Sequence, residues 1–204
     1  MARNQRDRIL KAVADAVYEV GFAQMSVEDV IHRAGISRRT FYEQFANKED
    51  AFLAAFDEVA GLLIQDVRSA YASGRSFPAR VIAGYRVFLD ILAASPEFGH
   101  MCIVEVLAAG PVAIAKRTAV MEEFAHLIGE DAKRSRRGPP VPQLTADTVV
   151  GGVYETVFRK IAAHESHDLP SLLPDVVEFT LLPYLGERRA RAAAAAVAPI
   201  SNRI

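Results

Sequence analysis

The sequence contains one cysteine, Cys102, and no tryptophan among 204 residues. A single cysteine excludes an internal disulfide framework and any metal site built from several thiolates. Twelve glycines and ten prolines are too few for a collagen-like or low-complexity chain. The 24 basic residues nearly balance the 25 acidic ones and leave a formal net charge of -1, which excludes a uniformly basic nucleic-acid coat but not a local basic patch.

Long hydrophobic runs are also missing. Charged residues are spread through residues 1–20, so there is no apolar core of a signal peptide. No run reaches the roughly 18 apolar residues of a membrane span. The longest candidate, residues 103–115, is interrupted by Glu105 and by Gly110-Pro111. The sequence therefore predicts a cytoplasmic protein with no membrane partner.

A helical pattern dominates the sequence that is present. Apolar residues recur at steps of three and four, as at Ile9, Val13 and Val17, and Gly21 follows at the expected helix C-cap. No window alternates strictly between apolar and polar residues, so no strand is predicted. The expected fold is all-α with roughly nine helices. Residues 131–143 combine a basic run with prolines and predict an exposed, mobile loop, and residues 191–204 predict a frayed tail.

Residues 26–45 carry the signals of a helix-turn-helix. Ser26 precedes Asp29 by three residues, which is the spacing of a capping box at a helix start. Gly35 suits the positive φ of a sharp turn. Ser37 is placed to cap the next helix, which is expected to run to about Phe45. Two short helices joined by a tight turn at residues 34–36 are therefore predicted.

The second of these helices has two distinct sides. Phe41 and Phe45 lie four residues apart and are expected to anchor it to a core, while its other side presents Arg38, Arg39, Tyr42 and Glu43. Arginine can contact guanine through two hydrogen bonds, and the hydroxyls of Ser37 and Thr40 can bind phosphate or base edges. Glu43 could accept from a cytosine amine or orient an arginine. Two arginines alone fit a solvated charged face equally well, but caps, turn glycine and aromatic anchors together favour a major-groove reader.

At this point the sequence resembles the DNA-binding domain of TetR-type transcriptional regulators, over about residues 5–55. The resemblance lies in Gly21-Phe22, Ser26-Val27, the run AGISRRTFYEQF at residues 34–45, and Lys48-Glu49. It implies a three-helix DNA-binding domain at residues 1–50, an all-α effector-binding and dimerisation domain at residues 51–190, and a homodimer. The residues that match the family's DNA-contacting positions are Ser26, Ser37, Arg38, Arg39, Thr40, Tyr42 and Lys48. Arg39 stands where many relatives carry a small residue.

The rest of the chain matches the family more weakly. Residues 149–155 resemble its eighth helix and residues 181–186 its last helix. The dimer-interface candidates on these helices are Gly151, Gly152, Glu155, Phe179 and Leu182. A local kink over an internal contact is the alternative explanation for the two glycines. Effector-pocket candidates are aromatic and sulfur-containing residues of the middle helices, each of which could instead be plain core: Tyr85, Phe88, Met101, Phe124, Tyr154 and Phe158.

The sequence shows no catalytic constellation. His164, Glu165, His167 and Asp168 have side chains that can bind metal, but their place at a helix end favours a solvated cluster. Cys102 is expected to be a small buried hydrophobe. No enzyme activity, metal or cofactor is therefore predicted.

These observations predict a transcriptional regulator. We expect a repressor that binds double-stranded DNA at a near-palindromic operator as a homodimer, and that a small apolar or amphipathic effector releases. The first alternative is an all-α small-molecule binding protein without DNA-binding activity. The second is an enzyme whose site is assembled from residues far apart in the sequence.

Overall fold

The computed structural model describes residues 2–135, 140–142 and 144–198. Within these ranges the chain forms ten α-helices and two short 3₁₀ helices and contains no strand, which confirms the all-α prediction. The α-helices are α1 (Ala2–Gln24), α2 (Val27–Ala34), α3 (Arg38–Tyr42), α4 (Lys48–Ser73), α5 (Phe77–Ala94), α6 (Pro96–Ile103), α7 (Pro111–Ser135), α8 (Leu144–Ala162), α9 (Leu173–Leu185) and α10 (Glu187–Ala195). The 3₁₀ helices are Glu105–Leu107 and Ser166–Leu172.

The chain divides into two compact units. The first contains the residues up to Leu62 together with Ser95–Arg117, and the second contains Leu63–Ala94 together with the residues from Thr118 onward. The domain boundary expected at residue 50 falls inside the first unit. Large side chains that are fully buried occur in both units, for example Phe41 and Phe52 in the first and Ile161 and Leu181 in the second. Each unit therefore has its own hydrophobic core.

Helix α1 belongs to the first unit. It is kinked at Gly21, whose φ is 77°, close to where the sequence predicts the helix to end. It packs against α2 and α6. The guanidinium of Arg33 on α2 donates two hydrogen bonds, of 2.8 and 2.6 Å, to the carboxylate of Glu19 on α1. Helix α2 is thereby joined to α1 by a polar contact as well as by its apolar side.

A buried ionic network joins three helices of the second unit. Asp131 on α7 accepts two hydrogen bonds from the Arg80 guanidinium on α5, at 2.7 and 2.8 Å. It also accepts one from the Tyr71 hydroxyl on α4 at 2.9 Å. Burial, together with the negative charge of Asp131, raises the pKa of Tyr71 well above its usual value, so the hydroxyl stays protonated and donates. The network fixes the relative positions of these helix segments.

Two predicted irregular segments contain more helix than expected. Helix α7 continues through Asp131 to Ser135, because Asp131 is buried and paired rather than solvated. Residues 136–139 and 143 of the expected loop lie outside the described residues. A frayed tail from residue 191 is wrong as far as residue 195, because Ala190 and Ala194 are buried and α10 packs against α9. Residues 199–204 lie outside the described part of the chain.

Two properties of the buried helices bear on function. In the described part of the chain, no single helix is long and apolar enough to cross a membrane; Phe77–Ala94 and Pro96–Leu107 reach that composition only as a pair bent by 110°. Cys102 on α6 is buried, as expected, and burial raises the pKa of its thiol to about 12. The thiolate that nucleophilic or redox chemistry requires is therefore scarce at neutral pH.

Candidate nucleic-acid interface

The caps predicted from the sequence build the helix-turn-helix. The Ser26 hydroxyl accepts a hydrogen bond from the Asp29 backbone N–H, and the Asp29 carboxylate accepts one from the Ser26 backbone N–H, so the capping box is complete. Gly35 ends α2 with φ 61° and ψ 45°, a left-handed conformation that glycine adopts without steric cost. The Ser37 hydroxyl then accepts from the Thr40 backbone N–H and starts α3. The turn is therefore fixed by local hydrogen bonds.

Helix α3 is shorter than predicted. It ends at Tyr42, and the chain turns through residues 43–45 instead of continuing the helix. The next cap explains the early end, because Asn47 accepts from the Asp50 backbone N–H and Asp50 accepts from the Ala46 backbone N–H. The start of α4 thus leaves no room for another helical turn. Phe45 is nevertheless buried, as expected, beside Phe41.

One side of α3 is anchored and the other is free for contact. Phe41 is fully buried, and its ring lies 5.7 Å from that of Phe45. The Arg38 and Arg39 side chains are 64% and 88% exposed, and Tyr42 is 49% exposed. Burial of the aromatic side orients the helix, so the arginines point into solvent. This is the arrangement that a helix entering the major groove requires.

Both arginines have acidic partners in the free protein. Arg39 Nε donates to Glu43 Oε1 at 2.8 Å, four residues along the chain. Arg38 Nη2 lies 3.1 Å from Glu28 Oε1 on α2. Exposed ion pairs of this kind contribute about 0–1 kcal/mol, so a DNA phosphate or guanine can displace the carboxylates at small cost. Of the two roles expected for Glu43, the geometry shows the orientation of an arginine.

The hydroxyl side chains that are predicted to contact DNA differ in the hydrogen bonds that they already make within the protein. The Ser37 and Thr40 hydroxyls lie 2.8 Å apart and share a hydrogen bond at the exposed start of α3. The Ser26 hydroxyl donates to the Asp29 carboxylate at 2.6 Å and is partly buried. Ser26 thus has a structural task as a cap, whereas Ser37 and Thr40 stand at the surface beside the arginines.

Lys48 has a structural role that the sequence pattern did not predict. Its ammonium donates to three backbone carbonyls, those of Phe22 at 3.1 Å, Ala23 at 3.2 Å and Met25 at 2.9 Å. It also lies 4.9 Å from the centre of the Phe22 ring. These carbonyls end α1, where a cation offsets the negative helix terminus. Lys48 therefore joins the start of α4 to the end of α1.

Glu105 is a second residue that the sequence pattern did not place in this region. Its Oε2 accepts a hydrogen bond of 2.7 Å from the Phe22 backbone N–H, and it lies next to the kink at Gly21. In the segment after the kink, the Glu105 carboxylate thus binds a backbone N–H, and the Lys48 ammonium binds backbone carbonyls. The sequence did contain an indication that Glu105 is unusual, because this charged residue interrupts the apolar run at residues 103–115.

Comparison with known proteins agrees with this geometry. Residues 9–55 match the family model described as bacterial regulatory proteins, tetR family. The chain is 27% identical over 184 residues to the HTH-type transcriptional regulator EthR of Mycolicibacterium smegmatis, which covers 87% of this chain and 83% of that protein. Residues 9–55 are therefore a TetR-type DNA-binding domain, and the chain as a whole is similar to TetR-family transcriptional regulators.

Solved structures of other regulators share the fold. The fatty acid degradation regulator FadR from Bacillus halodurans has a TM-score of 0.78 at 21% identity, covering 90% of this chain and 96% of that one. The FadR of Bacillus subtilis, solved in complex with stearoyl-CoA, has a TM-score of 0.76 at 19% identity, covering 88% of this chain and 98% of that one. Both comparisons span the TetR-type N-terminal domain and the helices that follow it.

The predicted effector residues of this TetR-like chain divide between the two units. Met101 is fully buried in the first unit, whereas the other five belong to the second. Tyr85 shares a 2.9 Å hydrogen bond with the buried Thr180 hydroxyl, and burial raises its pKa to about 12. The rings of Tyr154 and Phe158 stack at 6.5 Å. Phe88 and Phe124 are half-buried.

The dimer-interface candidates lie on α8 and α9. Phe179 and Leu182 on α9 are 46% and 43% exposed, although both are large and apolar. A Cβ built on Gly152 would stand 3.0 Å from the Phe179 ring, so this glycine allows close approach of α8 and α9 within one chain. A Cβ on Gly151 would meet nothing within 4 Å. Glu155 is exposed, with Arg159 at 3.9 Å.

The cluster at residues 164–168 is organised by a lysine. Lys160 Nζ lies 2.6 Å from the Glu165 carboxylate and 3.3 Å from that of Asp168. His167 Nε2 lies 3.3 Å from the other Asp168 oxygen. Within the described ranges, no group of three or more histidine, cysteine or acidic side chains could hold a metal ion.

Proposed function

We propose that this regulator binds a near-palindromic operator as a homodimer and inserts α3 of each subunit into successive major grooves. The observation that carries this proposal is the orientation of α3, with Phe41 buried and Arg38 and Arg39 exposed on the opposite side. Residues 1–50 act as the DNA-binding domain, and residues 51–190 bind the effector and form the dimer. The two recognition helices then lie about 34–36 Å apart on the DNA.

Each predicted contact has a separate task in this complex. Arg38 and Arg39 leave their carboxylate partners and donate to guanine O6 and N7 or to phosphate. Ser37, Thr40 and Tyr42 contact the adjoining backbone through their hydroxyls. Ser26 and Lys48 lie beside the flanking phosphates. Lys48 contributes positive charge there while its hydrogen bonds to the end of α1 keep its position fixed.

The homodimer forms through α8 and α9. Exposed Phe179 and Leu182 supply apolar area that solvent alone covers in the isolated chain. Gly151, with open space at its Cβ position, allows a partner helix to approach the α8 backbone closely. Gly152 and Glu155 lie on the same helix. Two helices from each subunit then bury a common face about a two-fold axis.

The effector is an amphipathic molecule with an apolar chain, and its binding releases a repressor from DNA. Half-buried aromatic residues on α5, α7 and α8 offer an apolar lining, and the similar FadR of Bacillus subtilis was solved with stearoyl-CoA. Release requires that the effector bind better to the conformation that does not fit the operator. Helix α4 begins within the DNA-binding domain and continues into residues of the second unit, so it links effector binding to release of the DNA.

Operator binding is expected to weaken steeply with salt. Two subunits that together neutralise about six phosphates would lose roughly a thousandfold in affinity between 50 and 200 mM monovalent salt, because condensed counterions are released on binding. Fluorescence anisotropy across a salt series measures this slope. A flat response would contradict groove docking even if some DNA binding were seen.

A further inference from the structure

The last turn of α1 leads directly into the helix-turn-helix. This turn, residues 22–25 and here named the linking turn, is followed at once by Ser26, the cap of α2. It starts after Gly21, whose φ of 77° and ψ of 157° interrupt the helix, a conformation that is essentially restricted to glycine. The Met25 backbone N–H donates to the Gly21 carbonyl at 3.0 Å and closes the turn. The position of α2, and of α3 beyond it, therefore depends on the position of the linking turn.

Glu105 caps the start of the linking turn. A helix start leaves backbone N–H groups without an acceptor in the helix, and a carboxylate there also interacts favourably with the helix dipole. Glu105 Oε2 accepts from the Phe22 backbone N–H at 2.7 Å. The two carboxylate oxygens lie 3.5 and 3.7 Å from the position of a Cβ built on Gly21, so the carboxylate lies directly against the kink.

Lys48 binds the opposite end of the linking turn. Its ammonium donates to three of the backbone carbonyls, at 2.9 to 3.2 Å. Because N–H groups point toward the start of a helix and carbonyls toward its end, Glu105 and Lys48 bind the turn from opposite ends. The Phe22 ring is only 6% exposed and packs edge-on against Phe52 of α4, with ring centres 5.0 Å apart. Two charged side chains and one buried ring therefore fix the linking turn.

We propose that Glu105 positions the helix-turn-helix for operator binding without contacting the DNA. This inference rests on the proposed insertion of α3 into the major groove. The hydrogen bond from the linking turn to Glu105 favours the orientation of α2 and α3 that fits the operator. Glu105 belongs to residues 95–117, a segment far along the chain that lies in the same compact unit as the helix-turn-helix. Operator affinity thus depends on a residue well outside the domain expected at residues 1–50.

The charge of Glu105 and its hydrogen bond affect operator affinity in opposite directions. The negative charge repels DNA phosphates, so removal of the charge alone would strengthen binding. Loss of the hydrogen bond leaves the Phe22 N–H without its acceptor, which favours conformations in which the linking turn has moved. The population that fits the operator then falls, and the apparent affinity falls with it. A loss of affinity on removal of this carboxylate therefore identifies positioning.

Fluorescence anisotropy of full-chain variants tests the proposal, on DNA that the parent protein selects from a random-sequence library. Glu105→Ala should bind about tenfold more weakly, with an unchanged slope of log affinity against log salt, since no phosphate contact is lost. Glu105→Gln keeps an acceptor oxygen and should stay within about twofold of the parent. Glu58→Ala, the matched control, removes an exposed carboxylate of α4 in the same unit and should not weaken binding.

A milder variant and a measurement without DNA complete the test. Glu105→Asp keeps the charge but withdraws the acceptor by one methylene, so it should bind about fivefold more weakly and serves if Glu105→Ala does not fold. Hydrogen exchange of the free protein should be several-fold faster in the linking turn of either variant, and unchanged in α10. Circular dichroism sets an assay temperature at which every variant is fully folded, where a merely stabilising role would leave affinity equal to that of the parent.

Three results would overturn the proposal. They are parental affinity in folded Glu105→Ala or Glu105→Asp, unchanged exchange in the linking turn, and equal losses of affinity in Glu105→Ala and Glu105→Gln. Failure of the parent itself to select any DNA motif would overturn the proposed function together with this inference. Normal selection by the parent with unaltered affinity of the Glu105 variants would overturn the positioning role alone.

Discussion

Replacing both Arg38 and Arg39 by alanine is expected to weaken operator binding by about a hundredfold or more. A bidentate arginine–guanine contact contributes about 1–3 kcal/mol, and two such contacts are removed from each subunit. Stability should change little, because the acidic partners of these side chains, Glu28 and Glu43, form exposed ion pairs with them. Fluorescence anisotropy on operator DNA measures the affinity, and circular dichroism measures the fold.

The matched control for that variant lies on α10. Arg188 and Arg189 are adjacent and exposed, so their double alanine variant changes the net charge by the same amount. It should lose less than about threefold in affinity, because only long-range attraction is weakened. Equal losses in the two double variants would mean that total charge, not α3, determines binding. Unaltered affinity of the Arg38→Ala, Arg39→Ala variant would contradict the placement of α3 in the groove.

Asp131→Ala is expected to produce the largest loss of stability, about 3 kcal/mol. The carboxylate accepts two hydrogen bonds from Arg80 and one from Tyr71, and its side chain is only 12% exposed. Its removal leaves a largely buried guanidinium and a hydroxyl without their acceptor, which costs far more than the pair itself contributes. Urea unfolding at fixed protein concentration should show a lower midpoint.

A second aspartate provides the comparison for Asp131. Asp57 pairs with Lys116 at 2.8 Å, but its side chain is 53% exposed. Asp57→Ala should therefore cost less than about 1 kcal/mol. Similar midpoints for the two variants would contradict the account of the Asp131 network as a buried contact that holds three helices together.

The helix-turn-helix was predictable because local interactions determine it. The capping box joins Ser26 to Asp29, the turn depends on the φ of Gly35, and Ser37 caps a helix that starts at the next residue. Each of these signals acts over four residues or fewer, so it can be seen in the sequence. The exposure of Arg38 and Arg39 was predictable for the same reason, because burial of Phe41 determines which side of α3 faces solvent.

Contacts between distant residues were not predictable in the same way. Lys48 reaches carbonyls that are 23 to 26 residues away, and Glu105 accepts from a backbone N–H that is 83 residues away. A lysine near a helix start is also typical of a phosphate contact, which is why the pattern pointed to DNA alone. Asp131 fell in a segment whose basic residues and prolines predicted a loop, and only its pairing with Arg80 explains the extra helix.

Selection of bound sequences from a random-sequence DNA library shows whether α3 reads the base sequence, since the operator sequence emerges from the selection itself. We expect the full chain and the Arg188→Ala, Arg189→Ala control to enrich a near-palindromic motif whose half-sites lie about one helical turn apart. The Arg38→Ala, Arg39→Ala variant should lose that enrichment. No enriched motif with the full chain, or the same motif with the α3 variant, would contradict the reading of DNA by α3.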